Sequence, residues 1–168
     1  MSRTPSPERY LRLIQTLAEQ GNPKAQHNLG AMLLQGQGMA RDDAAAAHWL
    51  RKAAEQGIAP AQHNLGVMLL QGQGVGRDPV EAARWLLAAA WQGDPRSQHT
   101  LGALYHEGLG VEQSDEEAFF WLSLSGVNAP QELLPHSRAI QEQVASGLST
   151  RERDRVQQRV AAWRPSLA

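Results

Sequence analysis

The hydrophobic positions of this chain repeat at a fixed spacing along most of its length. The segment AQHNLGAMLLQGQG at 25–38 returns as AQHNLGVMLLQGQG at 61–74 and, more loosely, as SQHTLGALYHEGLG at 97–110. Both steps are 36 residues long. A period of about 20–50 residues is typical of folds in which similar units stack on one another. The pattern therefore predicts a stacked-repeat architecture.

Within one period, over 22–57, the apolar residues fall on two stripes with helical spacings of three and four. The stripes comprise Ala25, Leu29, Met32 and Leu33, and then Ala46, Trp49, Leu50, Ala53 and Ala54. Asn22 before Pro23 is a typical helix start, and Asp42 or Asp43 starts the second helix. Gly36 ends the first helix, because glycine accepts the left-handed conformation. Each unit is predicted to be an antiparallel pair of helices of about 14 and 15 residues.

We expect a single all-α domain over 1–168, a right-handed α-solenoid of about nine helices. It comprises an N-terminal half-repeat helix at 6–21, repeats at 22–57, 58–93 and 94–129, and C-terminal capping helices at 130–168. Ser149 and Glu152 form a capping box that opens the last helix, which runs to about Trp163. The helix-interior glycines Gly30, Gly66 and Gly102 predict close helix approach. The recurring Trp49, Trp85 and Trp121 are expected in the core, and a role in stacking on a ligand is the alternative.

Composition narrows the function classes. The net charge is −1 and the pI is near 6.6, so a basic nucleic-acid-binding face is not indicated. The absence of cysteine excludes disulfides, thiolate metal sites and a cysteine nucleophile. We expect a cytoplasmic protein, or a periplasmic one if an export signal has been removed. The few lysines among many arginines and alanines suit a GC-rich bacterial genome.

The repeat positions resemble the Sel1-like repeat family, a relative of the tetratricopeptide repeats. In the first repeat the family pattern is met by Ala25, Leu29, Gly30, Leu33, Gly36, Gly38, Met39, Asp42, Ala46, Trp49, Ala53, Ala54 and Gly57. The second repeat matches at the equivalent positions, whereas the third lacks the opening Ala, the Asp and the closing Gly. The resemblance implies an α-solenoid adaptor and leaves its partner unidentified.

In such solenoids the first helix of each pair lines the concave side. With Leu29 pointing inward, 100° per residue turns the opposite side of each first helix toward a groove suited to an extended or helical peptide. The predicted partner-binding residues are His27, Asn28, Ala31, Leu34, Gln35, His63, Asn64, Val67, Leu70, Gln71, Arg96, His99, Thr100, Ala103, His106 and Glu107. The alternative explanation of their recurrence is a relic of recent duplication.

Catalytic chemistry finds little support in the residues. One histidine per repeat does not match the spacing of a zinc site, and the Gly-x-Gly turns lack the strand and the Lys-Ser/Thr of a phosphate loop. No cofactor or metal is expected. We predict a non-catalytic adaptor that binds a protein or peptide. The alternatives are an enzyme acting on β-lactams or cell-wall peptides, as associated with some Sel1-like proteins, and a purely structural subunit.

Overall fold

The computed structural model describes residues 7–128 and 134–166, and within these ranges the chain forms nine α-helices and no strand. The helices group into two compact units, Met1–Arg77 and Asp78–Ala168. The helices of the first unit are α1 (Pro7–Glu19), α2 (Pro23–Gln35), α3 (Asp43–Glu55) and α4 (Ala59–Gln71). Those of the second are α5 (Pro79–Trp91), α6 (Pro95–Glu107), α7 (Asp115–Asn128), α8 (Leu134–Gly147) and α9 (Thr150–Ala162). The prediction of an all-α repeat fold is confirmed.

The helix ends follow the local chemistry of the repeat. The Asn22 side chain accepts a hydrogen bond from the Ala25 N–H at 2.9 Å, and Asp42 caps α3 in the same way. Gly36 ends α2 with φ of 67°, in the left-handed region. The helices α2 and α3 have 13 residues each, slightly fewer than predicted, because the capping residues lie outside the hydrogen-bonded span.

Small residues let the two helices of a pair approach closely. A Cβ atom added to Gly30 would lie 2.7 Å from Cγ of Leu50, and one added to Gly102 would lie 2.6 Å from Cγ of Leu122. Both leucines are fully buried. The predicted close approach is therefore confirmed for α2 against α3 in the first unit and for α6 against α7 in the second.

The two glycines of each Gly-x-Gly turn have different tasks. The first ends the helix, as at Gly72 and Gly108. The second packs against a neighbour, since a Cβ on Gly74 would collide with the Asp43 backbone and one on Gly110 with the Pro79 carbonyl. These turns therefore bring the second and third repeats against the first turns of α3 and α5, each contact within one unit.

The C-terminal helices of the second unit cover α7. Ser149 and Glu152 form the predicted capping box at the start of α9. Arg155 bonds Glu116 at 3.1 Å and Arg159 bonds Glu117 at 2.8 Å, so α9 is tied to α7 by two ion pairs. Residues 130–133 of the predicted capping region lie outside the described residues.

The first helix is less buried than its repeat pattern indicates. Tyr10 corresponds to the fully buried Ala46 but is 42% exposed, and Leu13 is 53% exposed. In the later pairs, this side of the second helix faces the first helix of the same pair, as the close contact of Gly30 with the Ala46 carbonyl illustrates. No helix precedes α1 in the described residues, and the side of α1 that carries Tyr10 and Leu13 is exposed.

Of the three repeated tryptophans predicted as core residues, Trp121 is buried, Trp49 is partly buried and packs against the core of the first unit, and Trp85 is partly buried. Trp121 is 2% exposed, whereas Trp49 and Trp85 are half-buried. The difference follows from the surroundings. Trp121 lies in the core cluster of the second unit, against which α8 and α9 also pack, between the rings of Phe120 and Trp91.

Candidate partner-binding surface

The first helices of the three repeats have equivalent residues at equivalent positions. α2, α4 and α6 each have 13 residues and each end at a left-handed glycine, so equivalent positions recur every 36 residues. The side that carries Ala25, Leu29 and Gly30 is buried. Because this side packs against the core, the opposite side of α2 faces the solvent.

All sixteen predicted partner-binding residues lie on these three helices, and none is buried. In the first unit, the predicted residues of α2 and α4 are two histidines, four side-chain amides and four aliphatic side chains. None of them is an Asp, Glu, Lys or Arg. Of the predicted α2 residues, Asn28 and Gln35 are exposed, and Ala31 between them is partly exposed. This face offers amide groups beside small apolar side chains.

A surface cavity of about 420 Å³ lies beside this face at the start of the first unit. From α1 it is lined by Pro7 and Tyr10. The remaining lining comes from α2 and the following turn, namely Asn28, Ala31, Met32, Gln37 and Gly38. The exposed ring of Tyr10 thus adds an aromatic wall next to two of the predicted residues.

In the second unit, the histidines of this face contact the capping helix α8. Nδ1 of His99 lies 2.7 Å from Oγ of the buried Ser137, and Nε2 of His106 lies 3.3 Å from Nε2 of Gln143. His106 also bonds the carboxylate of Asp115 through Nδ1 at 2.8 Å. The third repeat therefore presents fewer open groups than the sequence predicts, because α8 engages its histidine positions.

The equivalent histidines of the first unit are engaged as well. His27 and His63 each interact with another group, as His99 does. Among the described residues, no cluster of three or more His, Asp or Glu side chains is arranged to hold a metal ion. His27, His63 and His99 are therefore partly buried side chains that already interact with other groups.

Two described side chains, Asp43 and Tyr105, have pKa values shifted by their neighbours. Hydrogen bonds from Arg41, at 2.8 and 2.9 Å, lower the pKa of Asp43 at the start of α3. Burial, and then the Glu117 carboxylate, raise the pKa of Tyr105. Each shift has a structural cause, and none identifies a general acid or base.

Sequence reasoning missed a row of buried glutamines. The side-chain amides of Gln26, Gln62 and Gln98 donate to the carbonyls of Ala18, Ala54 and Ala90 at 3.1, 3.2 and 3.1 Å. Each carbonyl belongs to the last turn of the preceding helix, where helical partners run out. The signal was visible, because a polar residue recurs at period 36 on the buried side of each first helix.

Comparison with known proteins identifies the family. The Sel1 repeat model matches residues 23–58, 59–94 and 95–126, and the chain belongs to the Sel1 repeat family. These boundaries lie one residue after the starts derived from the sequence, and the third match ends at 126. Sel1 repeat proteins generally mediate protein–protein interactions and are generally non-catalytic scaffolds.

Two solved structures illustrate the similarity. A Sel1 repeat protein from Oxalobacter formigenes is 31% identical, with a TM-score of 0.70 over 80% of this chain and 98% of that chain. The protective antigen c5321 of uropathogenic Escherichia coli, described as having an SLR fold, is 28% identical with a TM-score of 0.66. That match covers 94% of this chain and 41% of the antigen. Both are bacterial proteins, in keeping with the composition.

No curated protein sequence matches this chain. In the ranges that the structure describes, no helix has both the length and the apolar character needed to cross a membrane.

Proposed function

We propose that this protein is a non-catalytic adaptor that binds a protein or peptide partner on the exposed side of the first helices of its repeats. The observation that carries the proposal is the cavity of about 420 Å³ beside α2, whose walls include the predicted residues Asn28 and Ala31. An aromatic ring, a methionine and two side-chain amides at one open cavity are suited to anchoring a side chain of a peptide.

The same chemistry continues on α4 of this unit. Asn64, Val67 and Gln71 occupy the positions of Asn28, Ala31 and Gln35, and all three are solvent-accessible. Apolar side chains supply contact area, while amides donate to and accept from a peptide main chain. The partner we expect is therefore an extended or helical segment with apolar anchor residues, and not a strongly charged one.

The proposal is tested with a partner captured from the native host by the 168-residue chain and then purified. Ala31→Trp fills the cavity side of α2 and is expected to weaken binding at least tenfold by titration calorimetry. Ala161→Trp, the same substitution at an exposed position of α9, is the matched control and should bind as wild type does. Equal affinity for the two variants would place the binding surface elsewhere.

A contact between the three repeated histidines and the partner stays a separate prediction. If it contacts the partner, changing His27, His63 and His99 to Gln should alter affinity and its pH profile across the imidazole range. Because His99 bonds Ser137, the change Ser137→Ala, which removes that bond and keeps all three histidines, separates an effect on α8 from an effect on the partner. An unchanged profile in the triple variant would remove the row from the surface.

A further inference from the structure

The cavity of about 420 Å³ between α1 and α2 has a counterpart one repeat later in the same unit. A shift of 36 residues takes its seven described lining residues, here called the α1–α2 site, to Asp43, Ala46, Asn64, Val67, Met68, Gln73 and Gly74. These counterparts lie on α3, on α4 and in the turn after α4. The repeat therefore forms equivalent surfaces twice in the first unit, once on α1 with α2 and once on α3 with α4.

The two surfaces differ in how far they are covered. Tyr10 is 42% exposed, whereas its counterpart Ala46 is 0% exposed. Met32 is half-buried, whereas its counterpart Met68 is 2% exposed. The two exposed amide residues of the α1–α2 site also have partly buried counterparts. The later surface is thus covered where the α1–α2 site is open.

The element that lies against the later surface is the first helix α2. It packs so close to α3 that a Cβ on Gly30 would be 3.2 Å from the Ala46 carbonyl oxygen and 2.7 Å from Cγ of Leu50. On α1, the position of Ala46 is occupied by the exposed Tyr10. In the second unit α6 packs on α7 in the same way as α2 packs on α3. What covers this side of a second helix in this fold is therefore another helix.

The open side of α1 also has the chemistry of a helix-packing surface. Leu13 and Leu17 follow Tyr10 at spacings of three and four on the same face, and none of the three is fully buried. The row is apolar over a length of about 10 Å. An extended segment lying on it would leave main-chain N–H and C=O groups without partners, whereas a helix pairs these groups internally.

We propose that the α1–α2 site binds an amphipathic α-helix of a partner protein, which packs on α1 as α2 packs on α3. This inference rests on the proposed function and narrows its partner from an extended or helical segment to a helix. Because Tyr10 replaces the alanine of α3, the partner helix needs a glycine or alanine opposite the ring, with apolar residues on either side of it.

The probe is a synthetic peptide of residues 22–38, the segment that contains α2, with a hydrocarbon staple between the positions of Lys24 and Asn28. Both positions are exposed, so the staple fixes the helix and leaves the face that packs on α3 unchanged. The control peptide has no staple and has proline at the position of Gly30, which prevents a helix and keeps the apolar residues. We expect the stapled peptide to bind the 168-residue chain at least about tenfold more tightly, because its helix is preformed.

Two methionines of the chain report where the probe binds. Met32 lines the α1–α2 site, and Met68 is its buried counterpart. In NMR spectra of methyl-labelled protein, with assignments from Met32→Leu and Met68→Leu, the stapled peptide should shift the Met32 resonance and leave that of Met68 unchanged. A shift of Met68 alone would mean that the peptide replaces α2 on α3, and it would overturn the inference.

A charge in the site should abolish the contact. Tyr10→Asp is expected to weaken binding of the stapled peptide by about tenfold or more, since the carboxylate would be buried under the helix. Val127→Asp, at a residue of α7 that is 69% exposed, is the matched control and should bind the peptide as wild type does. Far-UV circular dichroism verifies the fold of both variants.

The inference is overturned if the control peptide binds as tightly as the stapled one, or if Tyr10→Asp and Val127→Asp bind alike. Self-association of the free chain that Tyr10→Asp abolishes would assign the site to a second copy of the chain and would also overturn it. The proposed function has its own test, because equal affinity of Ala31→Trp and Ala161→Trp for the native partner contradicts that function whatever the peptides do.

Discussion

Replacing Gly102 by alanine is a direct test of the close approach between α6 and α7. The added Cβ would lie 2.6 Å from Cγ and 3.1 Å from Cδ2 of Leu122, and 3.2 Å from the Ala118 carbonyl oxygen. Carbon atoms pack best at about 3.5–4.0 Å, so the new Cβ and Cγ of Leu122 would overlap by about 1 Å. Leu122 is 0% exposed and has no room to withdraw.

Two terms of opposite sign set the magnitude. Alanine is favoured over glycine in a helix by about 1 kcal/mol. Overpacking a filled core costs about 1–3 kcal/mol. Gly126→Ala is the matched control, because Gly126 lies in α7 where an added Cβ would meet no described atom within 4 Å, and it gains only the first term. The difference between the two variants therefore isolates the overpacking, about 1–3 kcal/mol.

The assay is urea denaturation followed by far-UV circular dichroism. A second arm combines Gly102→Ala with Leu122→Ala, which alone removes a buried side chain at a cost of about 2–5 kcal/mol. Because the truncation makes room for the new methyl group, the double variant should lose less stability than the sum of the single ones. If Gly102→Ala were as stable as Gly126→Ala, the close approach would not constrain this position.

Three further outcomes are expected. Trp121→Ala should cost about 3–5 kcal/mol in denaturation experiments and Trp85→Ala about 1–2 kcal/mol, and equal losses would contradict the different burial of the two rings. Gln98→Met should cost about 0.5–1.5 kcal/mol, since the Ala90 carbonyl keeps its bond from the Gly93 N–H, and a neutral effect would show that the buried amide contributes nothing. Hydrogen bonds from Ser149 lower the pKa of Glu152, so its stabilisation is complete above the ordinary glutamate pKa of about 4.3 and is lost as the pH falls through the lowered value. Glu152→Gln should remove this acid sensitivity of α9, measured by hydrogen exchange between neutral and acidic pH, and an identical profile would refute the assignment.

The helices were predictable because their limits depend on neighbours in sequence. Asn22, Gly36 and Asp42 act within one turn of the helix that they limit, and the period of 36 residues marks every copy. The end of α7 illustrates the same dependence where the local signal is missing. The third repeat lacks the closing glycine, and the helix continues to Asn128.

The surface was less predictable because exposure depends on groups distant in sequence. Helical geometry alone turned His99 and His106 outward, but α8, which departs from the repeat pattern, contacts both of them. Trp85 likewise lines a surface cavity, whereas Trp121 is enclosed by a cluster against which later helices pack. Residues at repeated positions have the same backbone conformation in each copy, but their surroundings differ.

The buried glutamines also have a consequence for how such a chain changes in length. The donor Gln26 and the acceptor Ala18 are eight residues apart, as are Gln62 and Ala54, and Gln98 and Ala90. A block of 36 residues that begins with one glutamine therefore carries the donor for the block before it and the acceptor for the block after it. Duplication or deletion of whole blocks keeps each donor eight residues after its acceptor, whereas an insertion or deletion between an acceptor and its donor changes that spacing. The two complete blocks, 26–61 and 62–97, thus have the same donor and acceptor at their joints, a property that suits growth of a repeat array by duplication within a gene.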